Sequence, residues 1–159
     1  ACSWQRQADW SSLKTSQILL DLWIALLRDA YPAMPRYVIL RHELPPGDVR
    51  GLHWDLMLEL GEVLRTWALD AEPLTLPVIA SRELPDHRLA YLDYEGPISG
   101  NRGSVTRWDA GEFWIESALQ DEIKLVLSGG RLDGSLTLAR QPGDGHSWRV
   151  SFFVAPTSG

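Results

Sequence analysis

Cysteine is nearly missing from this chain. Cys2 stands alone, so no disulfide can close within it, and a reducing compartment suits it best. Lysine is almost as scarce, with only Lys14 and Lys124 against 13 arginines. Fifteen basic side chains face 21 acidic ones, a formal net charge of −6. That balance argues against a broad, non-specific nucleic-acid surface, which needs a basic excess, and leaves room for one basic groove. Arginine is also the better fork for phosphate oxygens. Long apolar runs are lacking too. The longest, ILLDLWIALL at residues 18–27, is too short to cross a bilayer and carries Asp21. The expectation is a cytoplasmic, monomeric protein without a membrane partner. Phosphate-cradling glycine loops and alternating strand–helix units are missing as well, which leaves nucleotide-binding folds unsupported.

The chain does have enough material for one domain: 159 residues, 45% apolar and 23% charged, the balance of an ordinary globular protein. Eight tryptophans is a high count, and tryptophan serves cores before it serves ligands. Residues 15–29 read as an amphipathic helix with Gln17, Asp21 and Arg28 on one side. A signal peptide is the weaker reading, because Asp21, Arg28 and Asp29 interrupt it. Met34 stands directly before the first strand pattern. Residues 1–33 are therefore set apart as a leader, a start-site artefact being one explanation, and residues 34–159 as the domain.

From Met34 onward the signals are those of strands. RYVILRH (residues 36–42) is β-rich, and a turn-rich loop follows. LHWDLMLEL and EVLRTWAL flank Gly61 as a hairpin. Residues 71–87, with Pro73, Pro77 and Pro85, read as loop, and RLAYLDYEGPI as strand or irregular. GSVTRWDAGEFWIE reads as strand, turn, strand, SALQDEIK as a short helix or turn, and the remainder as three strands. Seven or eight short strands with closely spaced turns predict an all-β fold, an antiparallel barrel or sandwich.

GLHWDLMLEL (residues 51–60) alternates at every step. His53, Asp55, Met57 and Glu59 fall on one parity, and Trp54, Leu56, Leu58 and Leu60 on the other. Residues two apart on a strand point the same way, so His53 and Asp55 can converge on one ion, and His42 at the end of the preceding strand can join them. Two histidines and a carboxylate suit Mn²⁺, Zn²⁺ or Fe²⁺. The plain alternative is two loop-flank histidines and a hydrogen-bonded acid, since H-x-D is short and common. His87 stands four residues before Tyr91, and both side chains are useful beside a phosphate. Their plain alternative is a core tyrosine and a solvated histidine.

Taken in order, YVILRH, LHWDLMLE, EVLRTWAL, HRLAYLDYEG, GSVTRWDAG and GRLDGSLTLAR resemble the 3′-phosphoesterase domain of bacterial DNA ligase D and its stand-alone relatives. The resemblance runs from Arg36 to Phe153 and implies a compact β-barrel with a Mn²⁺-dependent centre. Such a centre trims 3′-phosphates and 3′-terminal ribonucleotides from DNA ends before ligation, with a ligase or other end-joining protein as partner in trans. It assigns His42, His53 and Asp55 to the metal, and His87 and Tyr91 to the phosphate side and to catalysis, with Zn²⁺ or another divalent transition metal as an alternative ion. The sequence departs from the family pattern where an arginine becomes Met57, a lysine Ala71 and an acidic residue Pro85, and where the loop between His42 and His53 is longer. Arg41, Arg50, Arg65, Arg88 or Arg107 could supply the missing cation. Two other readings stay open: a degenerate member that binds without turnover, and a non-haem iron oxygenase using His53, Asp55 and His146.

Overall fold

Period-two alternation decides most of the strands. In the computed structural model, which describes residues 17–23, 26 and 33–154, nine strands form one antiparallel sheet. They are β1 (Arg36–Glu43), β2 (His53–Leu60), β3 (Val63–Leu69), β4 (Ile79–Arg88), β5 (Gly96–Pro97), β6 (Ser104–Ala118), β7 (Glu122–Gly129), β8 (Asp133–Arg140) and β9 (Ser147–Val154). A single 3₁₀ turn, Leu89–Leu92, lies between β4 and β5. The spatial order is β1-β2-β3-β4-β9-β8-β7-β6-β5. Because β1 also pairs with β6, eight of the strands come round into a barrel-like near-ring, and β5 rides on the edge of β6. The expected all-β fold of seven to eight strands is found, with one more short strand.

The chain divides between Met34 and Pro35 into two units. In the first, residues 17–23 and 26 are helical, and Gln17 Nε2 donates to Asp21 Oδ1 at 3.0 Å. That part of the expected helix over residues 15–29 is present; Arg28 and the helix ends lie outside the described residues.

Two stretches of the second unit differ from the sequence reading. Residues 79–88 form β4 although Pro85 marks them as loop. Proline has no N–H to give a ladder, so it is tolerated only where a partner is missing or the ladder is broken. Both conditions hold: β9 pairs with β4 only from Ile79 to Arg82, and the register against β3 slips beyond Thr66↔Leu84, leaving Pro85 and Asp86 opposite Arg65 alone. From Ser104 on, GSVTRWDAGEFWIE belongs to one 15-residue strand rather than two. It bends instead of turning, with register shifts opposite Ile39/Leu40 and at Ile115/Ser117. At the bend, a Cβ on Gly111 would stand 2.1 Å from the Ser128 carbonyl oxygen, so glycine is required there. SALQDEIK supplies a turn and the start of β7, and the one short helix of this unit is the 3₁₀ turn instead.

The sheet buries its inner face throughout and, over β1, β2 and β3, part of its outer face as well. Its interior holds Tyr37, Ile39, Trp54, Leu56, Leu58, Trp67, Leu136 and Trp148 among others, drawn from all round the ring. A smaller cluster, Val38, Leu40, Met57, Leu64, Leu92 and Val105, lies on the opposite parity of β1, β2 and β3, covered by the 3₁₀ turn. It is therefore on the outer wall. The β2–β3 hairpin closes through two residues, Gly61 and Glu62, with Leu60 opposite Val63. Gly61 alone of the two has positive φ (+67°), as the first position of a type II′ turn requires.

Where β1 meets β6, a buried polar knot ties the ring. The Tyr37 hydroxyl donates to Asp109 Oδ2 at 2.6 Å, and the same carboxylate accepts from the Leu132 N–H at 3.0 Å and, through Oδ1, from the Arg131 N–H at 2.8 Å. Burial first, and the neighbouring carboxylate second, push the Tyr37 pKa far up, so the phenol stays a donor. Gly129 makes room, since a Cβ there would be 1.8 Å from Tyr37 Oη. Asp109→Ala leaves a buried hydroxyl and two backbone N–H groups without their acceptor. It is expected to cost about 3 kcal/mol or more in urea unfolding, while Tyr37→Phe costs only about 1 kcal/mol.

Candidate metal centre

Register brings the predicted ligands together. In the β1–β2 ladder His42 lies opposite His53 and Leu40 opposite Asp55, so the two imidazoles are cross-strand neighbours with ring centroids 4.7 Å apart. The carboxylate sits between them, with His42 Nδ1 3.1 Å from Asp55 Oδ2 and His53 Nε2 3.3 Å from Asp55 Oδ1. One ligand atom from each of the three lies within 4.8 Å of the others. Among the described residues no other group of three such side chains comes together in this way.

The far nitrogen of each ring fixes what the near one can do. His42 Nε2 is 2.8 Å from the Arg102 carbonyl oxygen, and His53 Nδ1 is 3.0 Å from the Gly51 carbonyl oxygen. A carbonyl only accepts, so both far nitrogens carry the hydrogen. In the neutral rings the near nitrogens then present lone pairs to a carboxylate that also has only lone pairs. Three acceptors aimed at one point need a proton or a cation between them. Asp55 is 3% exposed, and its Oδ1 has no hydrogen-bond partner, His53 being out of line. An orphaned carboxylate oxygen in such a place is costly unless something positive fills the gap. Burial acts to raise the Asp55 pKa, but the two imidazoles outweigh it and the net direction is downward. For His53, burial acts to lower the pKa, and the adjoining carboxylate outweighs it, so the net direction is upward. The residues thus fit a divalent ion with nitrogen and oxygen ligands.

A pocket of about 130 Å³ opens over this cluster, and its walls include His87, Tyr91, Met57, Arg50 and Arg102. His87 reaches it through the β4 bulge. The extra residue at Pro85–Asp86 reverses the alternation, so that His87 shares the outer face with Leu84. Its Nδ1 is 2.9 Å from the Pro85 carbonyl oxygen, which leaves Nε2 as the free nitrogen. The Tyr91 ring meets His87 edge to face at 5.6 Å. All five predicted site residues therefore border one space.

The departures from the family pattern fall differently. Met57 is 1% exposed and forms apolar floor. Ala71 packs against the interior cluster, away from the pocket. Pro85 is part of the bulge. Of the five candidate arginines, Arg50 lines the pocket, on the loop between β1 and β2; Asp48 holds its guanidinium from Nη2 to Oδ2 at 2.8 Å and from Nε to Oδ1 at 3.1 Å. That bond comes first among the causes that keep the Asp48 carboxyl down at about 2. Arg41 pairs with Glu43, Arg65 with Glu83, Arg107 donates to the Leu92 carbonyl, and Arg88 borders a neighbouring cavity. His146 lines a separate cavity with Pro85 and Arg140 and is not in the cluster, which removes the oxygenase triad of His53, Asp55 and His146.

Arg102 is the residue that sequence reasoning missed. Its carbonyl orients His42, and the residue borders the pocket while its guanidinium donates to Ser99. The signal lay next to it, in the glycine that opens GSVTRWDAG. Gly103 has φ +82°, and a Cβ there would be 1.8 Å from the Glu43 carbonyl oxygen. Only glycine lets this loop lie against the end of β1.

The sequence profile of the DNA ligase D 3′-phosphoesterase domain matches residues 47–140, more than half of the chain. The chain belongs to this family. It is 31% identical over 113 residues to the multifunctional non-homologous end joining protein LigD of Pseudomonas aeruginosa, covering 64% of this chain and 13% of that protein. It is 33% identical over 120 residues to the multifunctional non-homologous end joining DNA repair protein LigD of Mycobacterium tuberculosis, covering 68% of this chain and 15% of that protein. The chain thus spans about a seventh of the length of these curated relatives. The profile match begins after β1, so His42 is tied to the family site by strand register rather than by that match.

Nitrogen-15 imidazole spectra at pH 8 are expected to show His53 as the Nδ1–H tautomer and His42 as the Nε2–H tautomer. Gly103→Ala, which displaces the Arg102 carbonyl, should abolish the preference at His42 and leave His53 unchanged. Identical His42 signals in the two proteins would contradict the geometry.

Proposed function

We propose that the chain is a metal-dependent 3′-phosphoesterase that removes 3′-phosphates or 3′-terminal ribonucleotides from DNA ends for repair by end joining. The observation that carries this reading is the convergence of three lone-pair donors, one of them an orphaned buried carboxylate oxygen, in the pocket that also holds His87 and Tyr91. Family membership supplies the substrate class. His42, His53 and Asp55 would hold the ion, with Mn²⁺ the first choice and Zn²⁺ or another divalent transition metal as alternatives. When bound, such an ion polarises a phosphoryl oxygen and lowers the pKa of a water.

The remaining roles fall to the chain itself. His87, anchored at Nδ1 by the Pro85 carbonyl, offers Nε2 to the phosphate and, in its charged form, protonates the leaving oxygen. Tyr91 holds that ring in place and lends its hydroxyl to the phosphate. Arg50, with two of its donor nitrogens steadied by Asp48, keeps further N–H groups free for an oxyanion at the rim. In this reading it takes up part of the work that Met57 cannot do. The site of action would be the cytoplasm, with the ligation step supplied in trans.

Met57 favours a second reading, in which the site keeps its ion but turns nothing over and acts as a binding module. Incubation with Mn²⁺ and a DNA strand ending in 3′-phosphate or in one 3′-ribonucleotide separates the two. The first predicts a new 3′-hydroxyl end, lost by 10²-fold or more (order of magnitude) in His53→Ala and Asp55→Asn. For Arg50→Ala it predicts a KM raised by about tenfold with a smaller change in kcat. Ion binding by calorimetry without any 3′-hydroxyl product selects the second reading and rejects the first.

A further inference from the structure

Beside the metal pocket lies a second cavity of about 230 Å³, bordered by Arg88, Tyr91, Tyr94, Pro97, Ile98 and Ser99. Tyr91 and Ile98 line both, so the two spaces share a wall. Pockets for a whole small-molecule ligand run from roughly 300 to 1,000 Å³, and this one has room for a single ring system. Its exposed wall is aromatic. Tyr94 is 39% exposed, and its ring stands edge to face with Tyr91 at 6.0 Å. The Tyr94 hydroxyl donates to the Pro97 carbonyl, which fixes the ring at the mouth. Gly96 permits this fold of the loop: its φ is +132°, and a Cβ there would press on Tyr94 Oη at 3.3 Å.

Arg88 adds charge. Among the described residues its side chain enters no hydrogen bond and no ion pair, whereas Arg36, Arg50, Arg65 and Arg82 are each held by a carboxylate. An uncommitted guanidinium next to an exposed, anchored aromatic ring is the pairing that binds one base and one backbone phosphate of a single strand.

We infer that this cavity is a nucleoside subsite. It takes the base of the nucleoside whose 3′ oxygen carries the phosphate in the metal pocket, stacked on Tyr94, while Arg88 holds the next phosphate toward the 5′ end. The inference rests on the phosphoesterase reading and adds to it the side from which the strand enters. An end bearing only a 3′-phosphate has no nucleoside beyond that phosphate. A subsite that serves both kinds of end must therefore lie on the 5′ side. Stacking reads no hydrogen-bond pattern, so the subsite accepts any base and rejects an abasic terminus.

The test is binding by the full chain, kept metal-free with a chelator, of an oligothymidylate that ends in 2-aminopurine 3′-phosphate. Stacking should quench the terminal fluorophore, and the same oligonucleotide with an abasic 3′-phosphate terminus should bind on the order of tenfold more weakly. Tyr94→Phe should keep both effects and Tyr94→Leu should lose both. Arg88→Gln should weaken binding and reduce its salt dependence by about one phosphate contact. Equal affinity for the two termini, or quenching that survives in Tyr94→Leu, would overturn the subsite. Quenching as expected, together with no 3′-hydroxyl product under Mn²⁺, would instead sink the phosphoesterase reading and leave the subsite standing.

Discussion

Strand β1 is shared between two ladders, and the rest of the molecule follows from that sharing. On one edge it pairs with β2 from Tyr37 to His42, and on the other with β6 along its whole length. The first pairing sets His42 opposite His53. The second closes the sheet and brings the β5–β6 loop, with the Arg102 carbonyl, against the far side of the His42 ring. A slip of one residue in either ladder would turn every side chain of β1 to the wrong face. The Tyr37–Asp109 knot resists such a slip by locking one interior position of β1 to β6 and to the turn after β7.

The alternation that builds the interior also builds the site, on the other side of the same strands. Trp54, Leu56 and Leu58 fill the ring, and His53, Asp55 and Met57 look outward. What makes the outer parity unusual is that it too is buried, under the 3₁₀ turn and the segment that runs on into β5. Burial removes the water that would otherwise solvate Asp55. The two imidazoles then become its nearest support, and their outer nitrogens are already committed to backbone carbonyls.

Much of this was legible in the residues themselves. The H-x-D spacing, the alternation of β2 and the ordered family segments led to the fold and to five of the residues that border the pocket. What was not legible came from backbone irregularity. Pro85 spoke for a loop because the sequence does not disclose that β9 leaves β4 beyond Arg82, where a missing N–H costs nothing. The bulge it occupies is also what turns His87 outward, so the residue that disguised the strand is the one that aims the histidine. Arg102 escaped notice because its contribution is a carbonyl, and any residue carries one; only Gly103, with its left-handed φ, marked the spot. Among the arginines, nothing in the order of residues distinguished Arg50, which reaches the pocket, from Arg41, which turns to Glu43.

The apolar floor at Met57 has a consequence of its own. With methionine below and Arg50 and Arg102 above, the cationic groups stand at the solvent margin of the pocket rather than at its base. Charges on exposed arms are screened by salt over a Debye length of about 10 Å at 0.1 M, whereas a buried one is shielded far less. In the phosphoesterase reading this divides attraction from holding. The long-range pull on an anion would rise and fall with the ionic medium, while the grip at the bottom would depend on an ion held by three short side chains that salt barely reaches.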